Sequence, residues 1–184
     1  MVSNTYRLGS VLGTAVAYSA LCELNTYLFS SFSFSTGVDW IFLPSGLRLA
    51  FILIFGVWGA LGIVLASFAD SLNLYFNGDL ITALGAGLIS GFTPLLARHI
   101  SFEWLKLDVH FRTLSTPTFI KIVLLFAVLS PVIHQLWYTF RGHTENFMSS
   151  TLVMAAGDLT GTIAVLYAAK SLLSLMPNTW VAGK

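Results

Sequence analysis

Residues 40–76 read WIFLPSGLRLAFILIFGVWGALGIVLASFADSLNLYF. A helix that spans a bilayer needs about 20 residues at 1.5 Å rise per residue, so this apolar run is too long for one crossing. Gly56, Gly59 and Gly62 cluster around Trp58 near its middle. They divide the run into a helix over 42–55 and a second over 58–75. Four further apolar blocks, 8–29, 80–97, 118–140 and 149–175, bring the count to six.

Charge decides between six helices and the five that an undivided run implies. Short cytoplasmic loops collect Lys and Arg. With six helices and a cytoplasmic N-terminus, one side carries Arg7, Arg98, Lys106, Arg112, Lys121, Lys170 and Lys184. The other side carries only Arg141, with the acids Asp39, Asp79 and Glu145. Five helices would split the basic 98–117 segment from the basic C-terminal end. The expected fold is therefore an all-α polytopic bundle of about six helices with both termini cytoplasmic.

Composition agrees. The chain is 56% hydrophobic and 9% charged, with a mean hydropathy of +0.82. Soluble domains carry about 25% charged residues, and so few charges do not cover a water-facing surface. The aromatic share, 14%, suits rings that collect at bilayer interfaces. The 184 residues leave room for a single membrane domain, over 1–184, and the net charge of +1 gives no reason to expect nucleic acid as a partner. Only Arg7 precedes the first apolar block and no small-residue cleavage site follows it, so 8–29 reads as a retained helix. The lone Cys22 reads as packing.

Ionisable groups inside a bilayer cost about 2.5–3.5 kcal/mol or more near its centre, so each one asks for a reason. Here they are Glu23, Arg48, Asp70, His134 and Asp158, and the six-helix topology puts all five in the outer half of the membrane. Arg48 is the only base well inside, and Asp158, flanked by Gly157 and Gly161, is the deepest acid. An ion pair of Arg48 with Asp158 or with Glu23 lowers the cost of burying both. Two readings follow: a structural pair, or a polar pocket open to the outside that binds a small ligand. A proton path is weaker, since no ionisable chain reaches the inner half. His134, beside Gln135 and Trp137, reads as an interfacial polar residue.

Pro44, Ser45 and Gly46 mark a helix start, because proline's missing N–H costs nothing in a first turn. Free amides there and Arg48 one turn on also form a weak anion site. Small residues four apart favour close helix packing, as at Gly13 and Ala17, at Gly87 and Gly91, and at Gly157 and Gly161. Pro94 and Pro131 are candidate kinks. ISFEWLKLDVHF, 100–111, has apolar residues at helical spacing, which suits a surface helix or a docking face for a cytoplasmic partner. No catalytic constellation, phosphate loop or metal-ligand spacing is present, and no cofactor is indicated.

The stretch FLPSGLRLAFILIFGVWGALGIVLASFADSLNLYF (42–76) and, later, GDLTGTIAVLY (157–167) resemble the bacterial membrane-associated sensor domains of the first MASE type. That family carries an aromatic-x-Pro-Ser/Thr/Ala-Gly turn, an apolar helix, a Gly-rich turn and a second helix. Its last helix carries an acid followed three residues later by Gly, here Asp158 and Gly161. The blocks agree in order over about 10–175. The resemblance implies a sensor that binds a small ligand or partner. Three departures stand against it. The family often has nearer eight helices. It often shows a proline soon after the last-helix Gly, whereas here none comes before Pro177. It usually feeds a cytoplasmic output domain; none follows here, so a partner protein is expected to relay the signal. Two alternatives remain open: an accessory subunit of a membrane complex, and a transport component. Size and helix count are similar to the substrate-binding S-components of vitamin transporters, in which Gly13, Ala17, Ser19 and Ala20 would face the transporter scaffold. Membrane lipid is a partner on any of these readings.

Overall fold

The computed structural model describes residues 3–105 and 116–175. Six helices run in chain order: α1 (Asn4–Phe29), α2 (Pro44–Phe55), α3 (Val57–Asp70), α4 (Leu80–Leu105), α5 (Thr116–Phe140) and α6 (Phe147–Leu175). Two short strands, β1 (Ser33–Ser35) and β2 (Val38–Asp39), form an antiparallel hairpin between α1 and α2. A π-helical turn, Ser71–Tyr75, extends α3. Val57–Tyr75, Leu80–Trp104, Pro117–Phe140 and Phe147–Ala169 are each long and apolar enough to cross a membrane.

The first helix is amphipathic in the sense lipid demands. Its buried side is Ser10, Thr14, Tyr18, Cys22 and Asn25, one residue per turn. Leu8, Leu12, Val16, Leu24 and Leu28 are exposed. Polar groups thus face the bundle and aliphatic ones the bilayer, where no water competes. Ser3 starts the helix by accepting the Tyr6 amide on its hydroxyl.

Neither α1 nor the second helix is among those four spans, and the second is the shorter. Its 12 residues span only about 18 Å, well short of the roughly 30 Å hydrocarbon layer. Residues 40–43 precede it as irregular chain laid against α6, where the Phe42 amide donates to the Gly157 carbonyl. Packed against α1, α3, α4 and α6, α2 is the inner element of the bundle. It turns directly into α3 at Gly56, whose φ of 58° favours glycine. The glycines around Trp58 have separate tasks. Gly59 lets α3 lie against the Phe51 carbonyl of α2, and Gly62 lets it lie against the Val11 carbonyl of α1. Gly87 and Gly91 of α4 do the same against Val64 and Ala60 of α3.

Two expectations change. The fourth helix does not end near 97. It continues to Leu105, so the apolar spacing at 100 and 104 belongs to α4 itself, and Ser101 donates back to the Ala97 carbonyl. The rest of the proposed surface segment, 106–115, lies outside the described residues. Both α4 and α5 continue through Pro94 and Pro131. Gly13 is not a packing residue within the described chain, since a Cβ there would meet nothing within 4 Å. Ala17 beside it is partly exposed.

At the hairpin end an ion cluster ties two loops. Asp79 accepts from the Thr82 amide and hydroxyl, capping α4, and from Arg141 at 3.2 and 3.3 Å. His143 stands 3.3 Å away. The Thr82 hydroxyl and amide, followed by His143 and Arg141, hold the Asp79 carboxyl well below its ordinary value. A depressed folded value contributes stability that is complete above the unfolded carboxylate range near pH 4 and is lost as pH falls through the folded value. Thermal unfolding of wild type and Asp79→Asn across pH will therefore show a gap at neutral pH that closes in acid. A gap of constant size would mean the carboxylate charge is not what stabilises.

Candidate functional site

The helix-start motif and the last-helix motif pack on each other. Irregular backbone in a bilayer must find partners for its polar groups, and residues 40–43 find several of theirs in side chains and in α6. The Phe42 amide donates to the Gly157 carbonyl at 3.2 Å. Asn25 of α1 accepts the Leu43 amide at 2.9 Å and donates to the Ile41 carbonyl at 3.2 Å. Thr160 donates to the Trp40 carbonyl. The Ser45 hydroxyl lies 2.7 Å from the Asp158 carbonyl and 2.9 Å from that of Phe42, with Thr162 at 3.2 Å. Gly157 and Gly161 make the contact possible, because a Cβ at either would run into the carbonyl of Asp39 or Phe42. Gly46 faces Gly161, Thr162 and Val165 in the same way.

This contact sets Arg48 against Asp158. Arg48 Nη2 donates to Asp158 Oδ1 at 2.9 Å, with the side chains 1% and 0% exposed. The Phe42 and Phe126 rings lie 5.4 Å from the guanidinium carbon, close enough for cation–π attraction. One N–H of Arg48 reaches the carboxylate, and Arg48 Nε and Asp158 Oδ2 are both left without a partner. Of the two acids open to Arg48 in the sequence, Asp158 is the one paired. Glu23 is exposed on α1. Asp70 is held elsewhere, by the Ser19 hydroxyl at 3.0 and 3.1 Å.

Arg48 borders a small cavity of about 30 Å³ lined also by Tyr18, Ser67, Ser90, His134 and Tyr138, room for roughly one water. His134 is 2% exposed, and Gln135 is fully buried. Its Nδ1 is 2.9 Å from the Ser130 carbonyl, an acceptor only, so this nitrogen carries the proton. Nε2, 3.2 Å from the Ser90 hydroxyl, then accepts, and Ser90 in turn accepts from Ser67 at 2.8 Å. That assignment leaves a neutral imidazole and uses each proton of the chain once. Pro94, one turn after Ser90, has no N–H to give the Ser90 carbonyl.

The hairpin covers the cavity. Gly37 sits over the Tyr138 and Phe76 rings, and Val38 is buried against Val153 and Met154. Asp39 and Tyr75 line both the cavity and an outer recess of about 150 Å³ next to Asn25, Ser30 and Ser33. They form the wall between the two. Burial raises the Asp39 carboxyl above its ordinary value, opposed by a hydrogen bond with Ser33. A larger groove between α5 and α6, about 670 Å³, is lined by residues such as Phe119, Leu124, Ile163 and Leu166. It offers almost nothing polar to orient a ligand.

The structure thus joins Arg48, Asp158 and His134 with Pro44, Ser45, Gly46, Gly157 and Gly161, and leaves Glu23, Asp70, Gly13 and Ala17 outside. The amides expected to hold an anion at the α2 start are taken, since Ser45 and Gly46 donate to the Phe42 and Leu43 carbonyls. Sequence reading missed Tyr18, Asn25, Ser67, Ser90 and Tyr138. Asn25, an amide in an apolar helix, was the one carrying a signal. Among the described residues no group of His, Cys, Asp and Glu is placed to hold a metal ion.

The family model that matches the chain is MASE1, over residues 11–173. No curated protein and no solved structure matches it.

Proposed function

The chain belongs to the MASE1 family of membrane-associated sensor domains, and from that premise we propose that it senses a small ligand held in the cavity beside Arg48, under the β1–β2 hairpin. The observation that carries this reading is Arg48 itself. Burying a guanidinium is expensive, and the cost is offset only when its donors are satisfied. Here Asp158 takes one N–H while Nε has no partner, and the side chain borders a polar cavity. A purely structural pair is better served by a two-pronged contact with the carboxylate.

The hairpin is the element that moves. It is short, most of its residues are exposed, and it separates the cavity from the outer recess through Asp39. Ligand entry lifts it from Tyr138 and Phe76, over which Gly37 rests, and the change passes to α6 through residues 39–43. The charge bias supports an outward-facing hairpin end, with Arg7, Arg98 and Lys121 at the opposite end. The signal then leaves on the cytoplasmic side through a partner.

The test is thermal unfolding of the protein in nanodiscs against fractionated small-molecule extracts of bacterial cells. A ligand at 100 times its Kd stabilises by about 2.7 kcal/mol. At least one fraction is expected to raise the midpoint of wild type and to leave Ser90→Leu, which fills the cavity, unmoved. A fraction that shifts both proteins equally, or no active fraction at all, sinks the reading.

A further inference from the structure

Resting on that reading, we infer that the ligand is an uncharged small molecule presenting a hydrogen-bond acceptor, a carbonyl or comparable oxygen, rather than an anion. A lone buried arginine would call for an anion. This one is already balanced, because Asp158 stands 2.9 Å from Nη2 with both side chains buried. The other basic group on the cavity, His134, is neutral in the hydrogen-bond chain from Ser67 through Ser90 to the Ser130 carbonyl. An anion entering would leave an unbalanced negative charge in a low-dielectric interior, which is far costlier than a neutral guest. It would also pass Asp39, which lines the wall between recess and cavity.

What the cavity lacks is an acceptor for Arg48. Nε is without a partner, while the unpaired Asp158 Oδ2 on the other side of the pair repels an anion, and the phenols of Tyr18 and Tyr138 border the same space, each able to donate. An oxygen with two lone pairs facing the guanidinium satisfies such donors without adding charge. Size narrows the class further. The inner cavity holds about 30 Å³ and the outer recess about 150 Å³. A guest therefore seats one polar end beside Arg48 and carries its remainder past Asp39 and Tyr75 toward the recess.

Acetamide and acetate are near-isosteres that differ in charge, and they are the probes. The intact protein in nanodiscs, labelled with ¹³C at the tyrosine ring, is titrated with each up to high concentration against sodium chloride as the ionic control. Acetamide is expected to shift Tyr18 and Tyr138 signals saturably, with at least tenfold weaker binding in Ser90→Leu and in Tyr138→Phe. Acetate is expected to do no more than the salt. Saturable shifts with acetate and none with acetamide overturn the neutral class while the site reading stands. Shifts with either probe that persist unchanged in Ser90→Leu overturn the site reading itself. No saturable shift with either probe overturns the acceptor class, leaving the site to the extract experiment.

Discussion

Arg48→Met is expected to destabilise the protein by about 3–5 kcal/mol, because it leaves the Asp158 carboxylate buried without a counter-charge. Asp158→Leu is expected to cost about as much for the mirror reason: a guanidinium 1% exposed with no carboxylate. The double variant decides what the pair is for. Replacing a buried ion pair by apolar residues of similar volume is often neutral, so Arg48→Met with Asp158→Leu should be more stable than either single change. Thermal or denaturant unfolding of the four proteins in one detergent gives the coupling energy directly. Additive single losses would mean that the two residues act separately and that the 2.9 Å contact contributes little. A stable double variant that has lost its ligand response is the outcome the sensor reading expects, since it separates holding the bundle together from offering donors to a guest.

The second large effect is at Gly161. A Cβ there runs into the Phe42 carbonyl, and backbone is the one neighbour that cannot turn aside. Gly161→Ala is expected to cost at least the 1–3 kcal/mol typical of overpacking, and Gly161→Val to prevent folding. Gly157→Ala, facing the Asp39 carbonyl, should behave like Gly161→Ala. Gly13→Ala is the matched control. It lies in a helix with open space around it, so the change should be neutral or stabilising by up to about 1 kcal/mol. Equal effects at 13 and 161 would refute the close approach of residues 39–43 to α6. Unfolding midpoints of the three alanine variants settle the comparison.

These two predictions explain why an acid and a glycine three residues apart belong together on α6. One turn of helix puts Asp158 and Gly161 on neighbouring faces. The first pairs with Arg48, and the second opens the track along which the chain bearing Arg48 descends. The proline turn at 44–46 supplies the other half, since Gly46 of α2 is set against the Gly161 carbonyl. Two motifs far apart in the chain are one contact in space.

Hydropathy and charge alone determined that this chain is a membrane bundle of about six helices, because lipid imposes one rule on every segment: apolar outside, backbone paired inside. The same rule picked out Arg48 and Asp158, since any charge in that layer needs a partner. Sequence did not determine which acid that partner was. Glu23 and Asp158 are alike in kind, and only the packing of α2 on α6 brings one of them within 2.9 Å. Nor did it reveal that the helix expected from 42 starts at Pro44, behind irregular chain held by other helices. An apolar stretch reads the same in either conformation, and the difference lies in Asn25, Thr160 and Gly157, which satisfy that backbone from other helices. Ser67, Ser90 and Tyr138 stayed hidden for a related reason. Hydroxyls are ordinary in membrane helices, and only the tertiary structure turns these toward one cavity.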